Sequence, residues 1–162
     1  MMFTRRRYLF ITIGFILVLC LSAQKKKEIK KYRIKTATST KTLGNKQLKD
    51  EKLTFNADGL LTEEIKYNEV GEFVSVTRYK YNAEAEVTEE SEFDENNVLI
   101  EKRTTKYNLL SQKIEERVTD KNGKQVKRFT YAYDAKGLRT EKKTYDGKNN
   151  LSVTKKIVYG YK

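Results

Sequence analysis

The chain is predicted to be all-β, an antiparallel meander of about ten strands built from 26-residue double-hairpin repeats. Three observations predict it. First, an aromatic residue followed by Asn or Asp recurs at Phe55-Asn56, Tyr67-Asn68, Tyr81-Asn82, Phe93-Asp94, Tyr107-Asn108, Tyr133-Asp134 and Tyr145-Asp146, with Thr119-Asp120 in the same series. By subtraction the steps are 12, 14, 12, 14, 12, 14 and 12, so two motifs make one 26-residue unit. A fixed period of this size marks a repeat architecture. Second, three residues past each Asn or Asp stands Gly59, Gly71, Ala85, Asn97, Ser111, Gly123, Gly137 or Asn149. Third, the stretches between are rich in Thr, Val, Ile, Tyr and Phe, and the chain has no proline to interrupt a ladder.

The turns come first in the argument. Asn or Asp at a turn's first position bonds its own backbone two residues on, and Gly or Asn at the fourth accepts positive φ. That is a type I turn closed by a bulge, a common hairpin connection. Ala85 and Ser111 tolerate positive φ less well, so their turns are expected to be the loosest. Lys41-Thr42-Leu43-Gly44 is an earlier turn with one extra residue. The strands that follow are 28–40, 46–55, 60–67, 72–81, 86–93, 98–107, 112–119, 124–133, 138–145 and 150–161. Tight turns make neighbours in sequence antiparallel neighbours in space.

A bulged turn at 82–85 places Tyr81 opposite Val87. The same rule sets Phe55 against Leu61, Tyr67 against Phe73, Phe93 against Leu99 and Tyr145 against Leu151, five aromatic–apolar clamps. Continued along the strands, it sets Glu89 against Arg103, Glu90 against Lys102, Glu86 against Lys106 and Arg78 against Glu90. It also places Tyr79 opposite Leu61 and Glu89. Unequal strand lengths offset each unit by two residues, so the sheet coils. A closed up-and-down barrel is the alternative. Apolar groups near the turns and charges mid-strand on both faces favour an open, twisted, single-layer sheet.

Residues 1–23 stand apart. Arg5, Arg6 and Arg7 precede an apolar run from Tyr8 to Leu21, then Ser22-Ala23-Gln24. A basic head, a short apolar stretch and a small residue describe a signal peptide cleaved after Ala23, hence export to the periplasm, the cell surface or the medium. The run is short for a membrane span. The alternative is a lipoprotein anchored at Cys20, the single cysteine of the chain. Cleavage after Ala23 leaves no cysteine and therefore no disulfide.

Residues 24–39 form a basic arm and first strand, and 40–162 the repeat domain. Past the signal segment there are 34 − 3 = 31 Lys and Arg against 22 Asp and Glu. Lys25, Lys26, Lys27, Lys30 and Lys31 concentrate the excess. They are expected to shield an edge strand or to touch an anionic surface; nucleic acid is not an expected partner. The chain has no histidine, so nucleophile–imidazole catalysis is excluded, and with it an ordinary zinc site. Each glycine is isolated, so no phosphate loop exists. No catalytic residue, cofactor or metal is expected. Asp94-Glu95-Asn96-Asn97 reads as a hairpin turn rather than a calcium loop. Glu84, Glu86, Glu89, Glu90 and Glu92 read as cross-strand ion-pair partners rather than a glycosidase pair. Tyr79, Tyr131 and Tyr159 lie outside the predicted clamps and are the candidate ligand-contact aromatics of a tyrosine-rich face.

Tyr133-Asp134-Ala135-Lys136-Gly137-Leu138-Arg139-Thr140 resembles the tyrosine–aspartate (YD) repeat of bacterial Rhs-type proteins, and Phe55–Thr62 and Tyr67–Phe73 are looser copies. The resemblance covers about residues 40–162. It implies an exported bacterial protein whose strands spiral into a wall, serving as a structural or binding module. The resemblance departs from toxin-carrying members: the repeats run to Tyr161, and the proline-containing cleavage motif is missing. The reading is a non-enzymatic module of the cell envelope, with a glycan-binding module as the alternative.

Overall fold

The computed structural model describes residues 22–161; the apolar run and Cys20 lie outside the described residues. Ten strands form one sheet in strict sequence order, every pair antiparallel, and the sheet stays open. They are β1 (Thr36–Leu43), β2 (Lys46–Phe55), β3 (Leu61–Tyr67), β4 (Phe73–Tyr81), β5 (Val87–Phe93), β6 (Leu99–Tyr107), β7 (Lys113–Asp120), β8 (Gln125–Tyr133), β9 (Arg139–Asp146) and β10 (Leu151–Lys156).

Each turn is built as its chemistry dictates. Asp94 N–H donates to Val98 O (3.0 Å) and Asn97 N–H to Asp94 O (3.0 Å). The Asp94 carboxylate accepts from the backbone N–H of Asn96 and Val98, both at 2.9 Å. The fourth turn residue holds positive φ throughout, Ala85 at 62° and Ser111 at 59° included. These two turns are closed like their neighbours, with Ala85 N–H to Asn82 O at 3.1 Å, so the expected loosening is absent from their geometry.

The five clamps form as the turn rule requires: Phe55–Leu61, Tyr67–Phe73, Tyr81–Val87, Phe93–Leu99 and Tyr145–Leu151. Beyond each clamp the register slips by one, which corrects the expected charge pairs. Glu90 faces Arg103, Glu89 faces Thr104, Ser91 faces Lys102, and Arg78 faces Ser91. Tyr79 faces Glu90 rather than Glu89. The cause is a second bulge in every motif hairpin, at the sixth residue past the Asn or Asp. Thr62, Val74, Thr88, Ile100, Ile114, Val126, Thr140 and Ser152 are the extra residues left without a partner. Where this residue is Thr, its hydroxyl bonds the carbonyl across the strand: Thr62 to Thr54 (3.1 Å), Thr88 to Lys80 (3.3 Å) and Thr140 to Ala132 (3.3 Å).

The offset of the units survives this slip. Glu63 pairs with Arg78 and Arg78 with Ser91, a step of 91 − 63 = 28; from Arg78 through Ser91 to Lys102 the step is 102 − 78 = 24. Both differ from 26 by two, in opposite senses on oppositely running strands. The shear is therefore in one spatial direction, and the sheet coils.

The N-terminal end differs from expectation. Residues assigned to a first strand from 28 instead form helix α1 (Ser22–Lys31). Ala, Gln, Glu and Lys are good helix formers, and nothing in SAQKKKEIKK breaks a helix. Lys30 bonds Asp58 (3.0 Å). A Cβ at Gly59 would stand 2.7 Å from Lys26 O, so the helix seats on the β2–β3 turn because that residue is glycine. Among the described residues the buried apolar core is Val76 and Val118 alone. A single-layer sheet has no second layer to bury a core against, so its stability comes from ladder, clamps and polar contacts.

Candidate functional site

The two lateral rims of the sheet use different chemistry. At the C-terminal ends of β4, β6 and β8, and at Tyr159 just past β10, tyrosine hydroxyls reach back to a carbonyl twenty residues upstream. Tyr81 donates to Leu61 O (2.6 Å), Tyr107 to Val87 O (3.0 Å), Tyr133 to Lys113 O (2.8 Å) and Tyr159 to Arg139 O (2.9 Å). Donors and acceptors each step by 26. Each acceptor after the first is also the clamp partner of the preceding tyrosine, so Tyr81 clamps Val87 and Tyr107 latches its carbonyl. At the odd-strand ends, cations from the preceding strand cover the rings: Lys49 over Tyr67 (5.5 Å), Arg78 over Phe93 (4.7 Å) and Arg128 over Tyr145 (4.1 Å).

Between the rims, one face carries a polar band. It runs from Glu51 and Glu64 through Tyr79, Glu90, Arg103 and Glu116 to Tyr131 and Lys142. Tyr79 donates its hydroxyl to Glu64 (2.6 Å), which also takes Lys66 (3.3 Å). Glu116, 5% exposed, accepts both Arg103 and Lys113 Nζ (2.7 Å). Arg103 also reaches Glu101 (3.5 Å). Lys142 Nζ lies over Phe129 (4.3 Å) and Tyr131 (5.7 Å). The band is acidic over β2–β5 and basic over β6–β9.

Burial and charge set the proton affinities. Burial opposes ionisation of Glu116, but the Lys113 hydrogen bond and the charges of Lys113 and Arg103 outweigh it and hold the carboxyl below its ordinary range. At Glu90 burial wins, and the carboxyl is pushed up despite Arg103. Burial, with the neighbouring Glu64, also raises Glu51. Burial raises the phenols of Tyr81 and Tyr107 to about 12. It raises Tyr79 further, helped by the hydrogen bond to Glu64. Burial lowers Lys142, and Arg139, Lys113 and Arg103 add to the effect against Glu116.

Beside this band lies a shallow hollow of about 370 Å³, lined by Glu101, Arg103, Val118, Val126, Lys127 and Phe129. Of the three candidate aromatics, Tyr79 has its hydroxyl bound to Glu64 and Tyr159 has its hydroxyl on Arg139 O. Tyr131 is half-buried beneath Lys142 and Arg139 (5.7 Å). The three do not form one cluster. The Glu116 hub and the tyrosine latch escaped the sequence reading. A signal for the latch existed: after Phe55 of β2, the even-strand slot is Tyr at 81, 107, 133 and 159, while the odd slot holds Tyr, Phe, Thr and Tyr.

No protein-family model matches the chain, and no curated protein matches it. A crystal structure of a protein with unknown function from Bacteroides fragilis NCTC 9343 is similar in fold at 14% identity. The match covers 78% of this chain and 96% of that one, with a TM-score of 0.43.

Proposed function

We propose that the chain is an exported, non-enzymatic repeat protein of the YD type, acting as a structural or binding module at the cell surface or in the periplasm. One observation carries this reading. The charged groups of the better-covered face are engaged with one another, Glu116 by Arg103 and Lys113, and Glu64 by Tyr79 and Lys66. The hollow presents one carboxylate, Glu101, already paired with Arg103. Such an arrangement stiffens a sheet and leaves its surface for contact. The basic leader supports export. Fractionation of cells expressing the full chain tests it: recovery in the envelope, periplasm or medium is expected, without turnover of generic glycosides or esters. Recovery in the cytoplasm would overturn it.

A glycan-binding module is the second reading. It is favoured by Phe129 in the hollow and Tyr131 on the same face, where aromatic surface and cations adjoin. Binding on a glycan array that is lost in Tyr131→Ala would establish it.

A further inference from the structure

The basic run expected to shield the sheet's first edge is not on that edge. Lys26, Lys27, Lys30 and Lys31 belong to α1, which seats on the β2–β3 turn. The edge is β1, Thr-Ala-Thr-Ser-Thr-Lys-Thr-Leu, exposed at every position except a half-covered Lys41. Nothing among the described residues pairs with its outer side.

The outward-facing groups follow from the ladder. Phe55 N–H donates to Lys35 O, so Lys35 faces inward, and by alternation Ala37 and Ser39 do too. Strand β1 runs regularly past Ser39, because the extra residue at the Ser39/Thr40 register shift is Asp50 of β2. The backbone groups of Thr36, Thr38, Thr40 and Thr42 therefore point outward. No lysine, proline or glycine blunts these four positions, which are the usual devices against edge pairing.

We propose that a second copy of this chain pairs antiparallel along the outer side of β1, joining two sheets about a two-fold axis at Ser39. That register sets Thr36 against Thr42 and Thr38 against Thr40 of the other copy, all in hydrogen-bonding positions, with threonine side chains adjacent across the seam. Ser39 meets its own copy at a non-hydrogen-bonded position. Charge selects this partner. The edge has one cation, Lys41, already bonded to Asp50 (3.4 Å), and the register sets it opposite Ala37. The two Lys41 side chains then lie four residues apart along the strands, about 13 Å, beyond the screening length at physiological salt. The other edge, β10, is exposed along its length and ends in Lys155 and Lys156. Lysines on an edge strand are a usual device against pairing, so β10 is blunted where the four outward positions of β1 are not. The contact is isologous and closes on itself, so it predicts a dimer and not a filament.

Cross-linking tests this on the full chain in mild detergent, in a Cys20→Ser background. Ser39→Cys places two thiols at the closest kind of cross-strand pair and is expected to give mostly disulfide-linked dimer on mild oxidation. Adding Thr38→Pro removes an outward donor without touching the β1–β2 ladder, and is expected to reduce that yield at least tenfold while the far-UV β-sheet spectrum persists. Thr154→Cys on β10 is expected to give no disulfide-linked dimer beyond that of an unrelated surface cysteine. Efficient linkage through Thr154→Cys, no linkage through Ser39→Cys above that of an unrelated surface cysteine, or linkage that survives Thr38→Pro would each overturn the proposal. Sedimentation of the unmodified chain at twice the monomer mass, dissociated by Thr38→Pro, is the independent check.

Discussion

At the residue scale, the tyrosines divide into those that need their hydroxyl and those that need only a ring. Tyr81 uses both: its ring clamps Val87 and its hydroxyl satisfies Leu61 O. Sequence pattern gave the ring a role but left the hydroxyl idle, because the acceptor is a backbone carbonyl and carries no side-chain signature. Tyr81→Phe is therefore expected to cost about 1 kcal/mol in urea unfolding, the usual net value of one hydrogen bond. Tyr67→Phe should leave the midpoint unchanged, since its ring lies beneath Lys49. Equal effects of the two would refute the division. The raised phenols add a pH signature. Tyr81 and Tyr107 ionise near 12 when folded, against an ordinary 10. The unfolded chain releases these protons first. Their contribution is thus complete below pH 10 and is lost as pH rises from 10 to 12. Tyr81→Phe should flatten the fall of the urea midpoint across that window.

Elements obey rules that the residues state only in part. The turns and clamps were legible because Asn or Asp, a positive-φ residue and an aromatic each have a narrow job. The second bulge was not. A β-branched residue six positions past the Asn or Asp, Ser152 being the exception, suits an ordinary strand equally well, and its one signal is recurrence. Its consequence falls on the charges, which shift by one and gather around Glu116 instead of forming the expected pairs. Removing the Glu116 charge leaves Arg103 and Lys113 without their common counter-charge and with one acceptor oxygen in place of two. Glu116→Gln should cost about 2 kcal/mol at neutral pH, in the range of hydrogen bonds to charged groups. Glu90 is the contrasting case. Its carboxyl is raised mainly by burial, so folding disfavours its charged form, and Glu90→Gln should be neutral or stabilising. The pH signs are opposite. The Glu116 contribution is full above the ordinary carboxyl value and is lost as pH falls through its lowered folded value. The Glu90 contribution is present at low pH and is lost as pH rises through its raised folded value. Urea midpoints of both variants from pH 3 to 8 separate them. A larger loss in Glu90→Gln than in Glu116→Gln would contradict the polar band described above.

The whole molecule is a linear array, and its cooperativity should follow from contacts between adjacent units. The 12/14 alternation made strand order and offset legible in the sequence, and the charges mid-strand on both faces made the open sheet legible. The helical start was not legible, because α1 forms only by seating on a turn whose glycine leaves room for it. With Val76 and Val118 as the buried apolar core, no central cluster among the described residues ties distant strands together. The latch and clamp chain does, one unit at a time, from Tyr81 through Tyr107 and Tyr133 to Tyr159. Stability should then be a sum of unit and nearest-neighbour terms. Excising residues 82–107 removes 107 − 82 + 1 = 26 residues and joins Tyr81 to Asn108, which restores the motif at the junction. The junction tyrosine then meets Lys113 as its clamp partner, the pairing that Tyr107 makes in the intact chain. The shortened chain should fold into eight strands, with an unchanged β-sheet spectrum per residue. Its urea dependence should fall in proportion to the surface lost, since that slope tracks the area exposed on unfolding. Excising 88–113 also removes 26 residues but takes the bulge residue Thr88 and the latch acceptor Lys113 while leaving Val87 joined to Ile114, and it should fold equally well because any whole period preserves the register. Excising 82–94, half a period, joins Tyr81 to Glu95, deletes one turn and reverses the direction of every later strand. If the half-period deletion unfolds no more readily than the two whole-period ones, the 26-residue unit is not the unit of cooperativity.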